Sequence, residues 1–129
     1  MALLQSLPLT LSQYQYYVNE TLTIENGTTT TLVCGLTSDT KIVEYPSWSG
    51  PSREQGNDTQ FSYQGDPTFN PNVEILTRVR WAVNKKDLVL SPAKWIDEGR
   101  FQCTFAGIGN WFIRLNVRGD LFFFQIQMW

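Results

Sequence analysis

The chain reads as an all-β sandwich or barrel, and three observations predict it. Apolar residues alternate at period two and nowhere recur at three and four over a long window, so strands rather than amphipathic helices are expected. Clusters of Gly, Pro, Asn and Asp break the alternation roughly every ten residues, the spacing of turns between short strands. The only two cysteines, Cys34 and Cys103, stand 69 residues apart, a separation suited to a bridge between distant strands.

The strands follow in order. Residues 21–25 form a first strand turned by Asn26-Gly27. Residues 29–34 place Thr30, Leu32 and Cys34 on one face. Residues 42–49 carry Trp48 and end at Gly50-Pro51. Weaker alternation marks residues 60–64, with Phe61 and Tyr63, and residues 73–75. Residues 77–83, 87–90, 99–106 and 111–117 are the clearest strands, the last two joined by the short turn Gly107-Ile108-Gly109-Asn110.

At 129 residues, 42% hydrophobic and 14% aromatic, the chain has material for one core and one domain. Its boundaries are expected at 1–18 for an N-terminal extension or start of the first strand, 19–118 for the domain, and 119–129 for an apolar C-terminal tail or the start of a following segment. Ten Lys and Arg against twelve Asp and Glu, the bases scattered from Lys41 to Arg118, give neither a nucleic-acid footprint nor a polybasic membrane patch. No run approaches the roughly 20 apolar residues of a membrane span, and the nine-residue tail Leu121 to Trp129 is too short. The start, Met1 to Leu9, lacks a basic n-region and is a poor signal peptide, so the chain's own signal and anchor are expected outside it.

Catalytic chemistry has little to work with. The sequence contains no histidine, which removes His-based triads, proton shuttles and most zinc sites. Asp97 and Glu98 are adjacent, and neighbours on an extended strand point to opposite faces. No phosphate-binding or calcium loop occurs, and no cofactor is expected. The two cysteines admit one pairing, which would tie the chain by about 4 kcal/mol and imply an oxidising compartment. The alternative is a pair of buried thiols in the cytosol. Three sequons, at Asn19, Asn26 and Asn57, favour the secretory pathway and are the expected glycosylation sites.

Cys34, Trp48 fourteen residues later, and Asp97-Glu98-Gly99-Arg100-Phe101-Gln102-Cys103 form a Cys…Trp…Asp-x-Gly-x-aromatic-x-Cys frame that resembles the immunoglobulin superfamily. The likeness covers roughly residues 20–118. It implies a two-sheet Greek-key sandwich pinned by a Cys34–Cys103 disulfide on Trp48. In that lettering residues 29–34 are strand B, Trp48's strand is C, and 77–83, 87–90, 101–106 and 111–117 are D, E, F and G. The stretch between Trp48 and strand D has room for the C′ and C″ strands of a variable-type domain, with an intermediate-type domain and a long loop as the alternative.

The same resemblance assigns structural jobs. Leu32, Trp48, Leu88, Leu90, Phe101 and Phe105 fill the slot around the disulfide, with Ile113, Leu115 and Val117 lining it from strand G. Asp97 is expected to pair with Arg78, or failing that Arg80, and Gly99 suits a corner without Cβ. Phe101 stands where the family places a tyrosine, so a hydrogen bond worth about 1 kcal/mol is absent from that corner.

Function then falls to recognition. The fold implies an extracellular recognition or adhesion module of a cell-surface receptor, binding a protein partner or its own copy through the G-F-C-C′ face. A secreted binder or decoy and an architectural spacer are the alternatives. If Ile113 and Leu115 point inward, Phe112 and Arg114 point outward. Ile108 and Trp111 sit at the hairpin tip, and Phe61 and Tyr63 share a parity that would extend the same face. These six are the candidate partner-binding residues. Trp111 could equally cover the end of the sandwich. Arg118-Gly119-Asp120 matches an integrin-binding tripeptide but falls just past the last strand, where it reads as a linker.

Overall fold

A computed structural model describes residues 17–36 and 45–119, with the backbone alone at 17–19 and 57. Nine strands form two sheets: β1 (Tyr17–Glu25), β2 (Thr30–Leu32), β3 (Ser47–Ser52), β4 (Gly56–Tyr63), β5 (Asp66–Pro67), β6 (Val79–Trp81), β7 (Leu88–Leu90), β8 (Gly99–Phe105) and β9 (Gly109–Arg118). The larger sheet runs β1-β9-β8-β3-β4-β5 and the smaller β2-β7-β6. All pairings are antiparallel except β1 on β9, which run parallel over their full facing length.

The core lies between the sheets and follows the alternation. On β8, Phe101, Cys103 and Phe105 point inward while Arg100, Gln102 and Thr104 point outward. On β9, Ile113, Leu115 and Val117 are buried from the same side. Leu32, Leu88 and Leu90 close the core from the smaller sheet. Cys34 and Cys103 form the disulfide, with Cα atoms 5.9 Å apart. Trp48, directly opposite Cys103 on the neighbouring strand, is 1% exposed, and its indole Nε1–H donates to the Lys86 carbonyl at 2.8 Å. That bond satisfies the one polar atom the ring would otherwise bury unpaired.

Several strand boundaries differ from expectation. β1 begins at Tyr17, ahead of residue 21, because a parallel ladder with β9 sustains it. Residues 73–75 are not a strand: Val73 leads into a 3₁₀ turn, Glu74–Thr77, in which the Thr77 hydroxyl donates to the Glu74 carbonyl at 2.6 Å. Val73 and Ile75 are still buried, so their apolar spacing was read as a strand although a 3₁₀ turn also satisfies it. The D-strand candidate over 77–83 shrinks to Val79–Trp81 as a result. Of the strand expected over 42–49, residues 42–44 lie outside the described residues, as does the tail 121–129, and the strand itself begins only at Ser47.

One irregularity decides what the edge of the large sheet presents. Between β3 and β4 the register steps from Ser49↔Gln60 to Trp48↔Ser62, so Phe61 is an extra residue on β4, a β-bulge. Phe61 and Ser62 both turn inward, and Tyr63 emerges on the opposite side. Phe61 meets Phe101 with ring centroids 5.8 Å apart, above Gly50, where a Cβ would come within 2.8 Å of both rings. Glycine at 50 is what lets the aromatic pair sit on the backbone.

Candidate functional site

Among the described residues the best-paired charges are structural. Arg78 is 6% exposed and Asp97 2%. The guanidinium donates to both Asp97 oxygens at 2.7 and 2.8 Å, to both Glu74 oxygens at 2.7 Å, and to the Pro92 carbonyl at 2.7 Å. The backbone N–H of Lys94 donates to Asp97, and the Lys94 ammonium lies 3.2 Å from Glu74. Hydrogen bonds from Arg78 are the main reason the Glu74 carboxyl is held down at about 2; burial opposes them and Lys94 assists. Burial by itself would lower the Arg78 pKa, yet the two carboxylates outweigh it and raise it above its ordinary value. Arg78, not Arg80, is the partner of Asp97; Arg80 is exposed and donates to the Thr77 and Val79 carbonyls. Glu74 was not foreseen, since it belongs to the stretch read as a strand.

The open surface is the outer face of the large sheet. Ser47 and Ser49 from β3, Asp58 and Gln60 from β4, Gln102 and Thr104 from β8 and Arg114 from β9 point away from the core. At its middle the Gln102 amide donates to the Thr104 hydroxyl and to Asn110 Oδ1, both at 3.0 Å, and the Thr104 hydroxyl donates to Asn110 at 2.8 Å. These bonds hold the side chains in one arrangement. The face is thus polar and pre-set.

Of the six residues expected to contact a partner, two occupy this face: Arg114, exposed on β9, and Tyr63, 58% exposed beyond the bulge. Phe61 does not; the bulge turns it into the core, where it is 1% exposed. Phe112 points to the outer side as its parity requires but is only 6% exposed, and the Arg100 guanidinium lies over its ring, 4.7 Å from the centroid. Ile108 and Trp111 are half-buried against the core rather than projecting from the hairpin. The three-residue turn, closed by the Ile108 N–H on the Phe105 carbonyl at 3.0 Å, folds Ile108 back. Trp111 spreads over Gly35, leaving no room there for a Cβ, and its buried indole Nε1 has no hydrogen-bond partner among the described residues.

Arg100 and Arg114 face each other directly across β8 and β9, and neither forms an ion pair among the described residues. With Asp58 and Gly99 they line a hollow of about 380 Å³. Arg100 and Asp58 were not singled out from the sequence, although Arg100 lies between the inward Phe101 and the Gly99 corner, where alternation points it outward. Gly99 itself has φ +149°, and a Cβ there would approach Pro51 at 3.1 Å, in keeping with a corner that excludes side chains.

Of the sequons, Asn26 lies in the turn after β1, its side-chain oxygen accepting the Trp95 N–H at 2.9 Å; Asn19 falls within β1 and Asn57 within β4. Arg118 ends β9 and Gly119 follows it, while Asp120 lies outside the described residues. Among the described residues no cluster of metal-ligating side chains occurs, and no helix is long and apolar enough to cross a membrane.

Two sheets in this order, joined by a disulfide on a buried tryptophan, make the immunoglobulin-like fold. Solved structures with that fold superpose on most of the chain. Drosophila semaphorin 2a matches with a TM-score of 0.57 at 15% identity, over 81% of this chain and 15% of its own. The extracellular domain of the voltage-gated sodium channel beta4 subunit, described as a parallel homodimer that explains a role in cell-cell adhesion, matches with 0.56 at 21% identity, over 79% of this chain and 87% of its own. The four N-terminal immunoglobulin domains of Dscam1 isoform 6.44 match with 0.51 at 16% identity, over 79% of this chain and 23% of theirs. The chain thus corresponds to under a quarter of the semaphorin and Dscam1 chains. No protein-family model matches the sequence, and none of the curated proteins does.

Proposed function

We propose that the chain is an extracellular recognition module of the immunoglobulin type that binds a protein partner through the outer face of β9, β8, β3 and β4. The single observation that carries this reading is that face: uncovered by any other described element, pre-set by the Gln102–Thr104–Asn110 bonds, and carrying two arginines with no ion-pair partner among the described residues. β4 and β5 extend the large sheet beyond β3, which supports a variable-type domain. The disulfide and the sequons at Asn19, Asn26 and Asn57 support a cell-surface or secreted setting. With no histidine in the chain, binding is favoured over catalysis.

Self-recognition is the second reading, favoured by the likeness to the sodium channel beta4 domain and its reported homodimers. Both readings use one test. The domain, presented multivalently, is screened against purified cell-surface ectodomains with itself among them. Ser49→Trp puts a bulky ring in the middle of the face, whereas Thr31→Trp puts it on the exposed outer side of the small sheet. Capture lost with Ser49→Trp and kept with Thr31→Trp supports the proposal; the reverse pattern overturns it.

A further inference from the structure

We infer that the Arg100–Arg114 hollow is the anchor of this face and that it takes a carboxylate from an acidic segment of a different protein, not from a second copy of this chain. The inference rests on the face being the contact surface. Three observations lead to it. The two arginines are direct cross-strand partners, a position where like charges repel. No carboxylate within ion-pair distance relieves them among the described residues, whereas buried Arg78 is met by two. The Arg100 guanidinium lies over the Phe112 ring, 4.7 Å from its centroid, a contact that limits where its fork can go before anything binds.

The hollow fits a carboxylate and disfavours self-contact for the same reason. Its charged groups are Arg100, Arg114 and Asp58, a net positive set. A two-fold contact through it would place the arginines of one copy against those of the other, because such an interface buries the same patch on both sides. A Glu or Asp of a partner meets two guanidinium forks and can accept bidentate bonds.

The probe is an acetylated, amidated hexaglutamate peptide, with hexaglutamine as control, titrated into the intact domain while the arginine side-chain Nε–H signals are followed by NMR. Saturable shifts of the Arg100 and Arg114 signals, absent for Arg80, are expected. Affinity should fall at least tenfold with Arg114→Gln and also with Arg114→Lys, which keeps the charge but loses the fork. The wild-type titration needs no variant, so a poorly folded Arg100→Gln protein would not obscure the result. The proposal is overturned if hexaglutamate gives no shift, or if 3′-sialyllactose shifts these signals and hexaglutamate does not. It is equally overturned if the wild-type domain sediments as a dimer that Arg114→Gln makes monomeric. Capture of a partner that Ser49→Trp abolishes and Arg114→Gln leaves unchanged would defeat the arginine anchor and leave the face as the contact surface.

Discussion

Arg78 and the Arg100–Arg114 pair are the same chemistry in opposite surroundings. Arg78 is sunk below the small sheet, where every guanidinium nitrogen finds an acceptor on Asp97, Glu74 or the Pro92 carbonyl. Arg100 and Arg114 stand in solvent on the large sheet, facing each other with no carboxylate in range among the described residues. Where water cannot reach, an unmatched charge would cost too much to keep, so matching reveals a structural role. Where water does reach, repulsion is screened, and unmatched charge can be kept for a partner.

The largest effect separating the two sites is expected from Asp97→Ala. It strips two charge-assisted bonds from a buried guanidinium and leaves the Lys94 N–H without its acceptor. Removing one partner of a buried pair typically costs about 3–5 kcal/mol, and the remaining Glu74 bonds place this case near the lower end. Urea unfolding of the wild-type and variant domains measures it. Replacing Arg78 and Asp97 together by Met and Leu should cost less than Asp97→Ala alone, because no buried charge is then orphaned. A double variant that is the less stable of the two would contradict the account of the buried site.

Acid should sharpen the same contrast. Folding lowers the Glu74 pKa from 4.5 to about 2, so between those values the unfolded chain binds the proton more readily than the folded one. The stability this carboxylate contributes is therefore complete above about pH 4.5 and declines as pH falls toward 2. Glu74→Gln should flatten stability against pH over that window, read from unfolding midpoints taken at half-unit steps. An unchanged slope would mean that Glu74 is not the group titrating there.

How far these features were legible depends on which residues obey local rules. Cys34, Trp48, Asp97 and Cys103 carry the resemblance that assigned Phe101, Phe105, Ile113, Leu115 and Val117 to the core, and all five are buried. Parity failed where the backbone broke period two. The extra residue at Phe61 sent it into the core and brought Tyr63 out, and no single-residue property announces a bulge. Phe112 exposes a different gap: parity gives the side of a sheet, not what lies on top, and the Arg100 guanidinium that lies over its ring comes from the next strand. Arg100 itself was hidden in plain view, since its opposition to Arg114 depends on the hairpin register, which the three-residue turn sets.

The smallest expected change in stability is the most telling of the three. Arg114→Gln removes an exposed charge that lacks an ion-pair partner among the described residues and faces another charge of the same sign. Relief of a directly opposed like-charge pair is worth about 0.2–1 kcal/mol at most, less once salt screens it. The variant should therefore unfold within about 0.5 kcal/mol of wild type, and any gain in stability should shrink as salt is raised. A structural arginine behaves the other way, with loss that persists at high salt, as Arg78 should. If Arg114→Gln destabilises the domain by more than about 1 kcal/mol, Arg114 supports the sheet and its lack of a carboxylate has another explanation. If stability holds while binding of an acidic ligand is lost, the charge is retained for contact alone, which is what its place on the open face predicts.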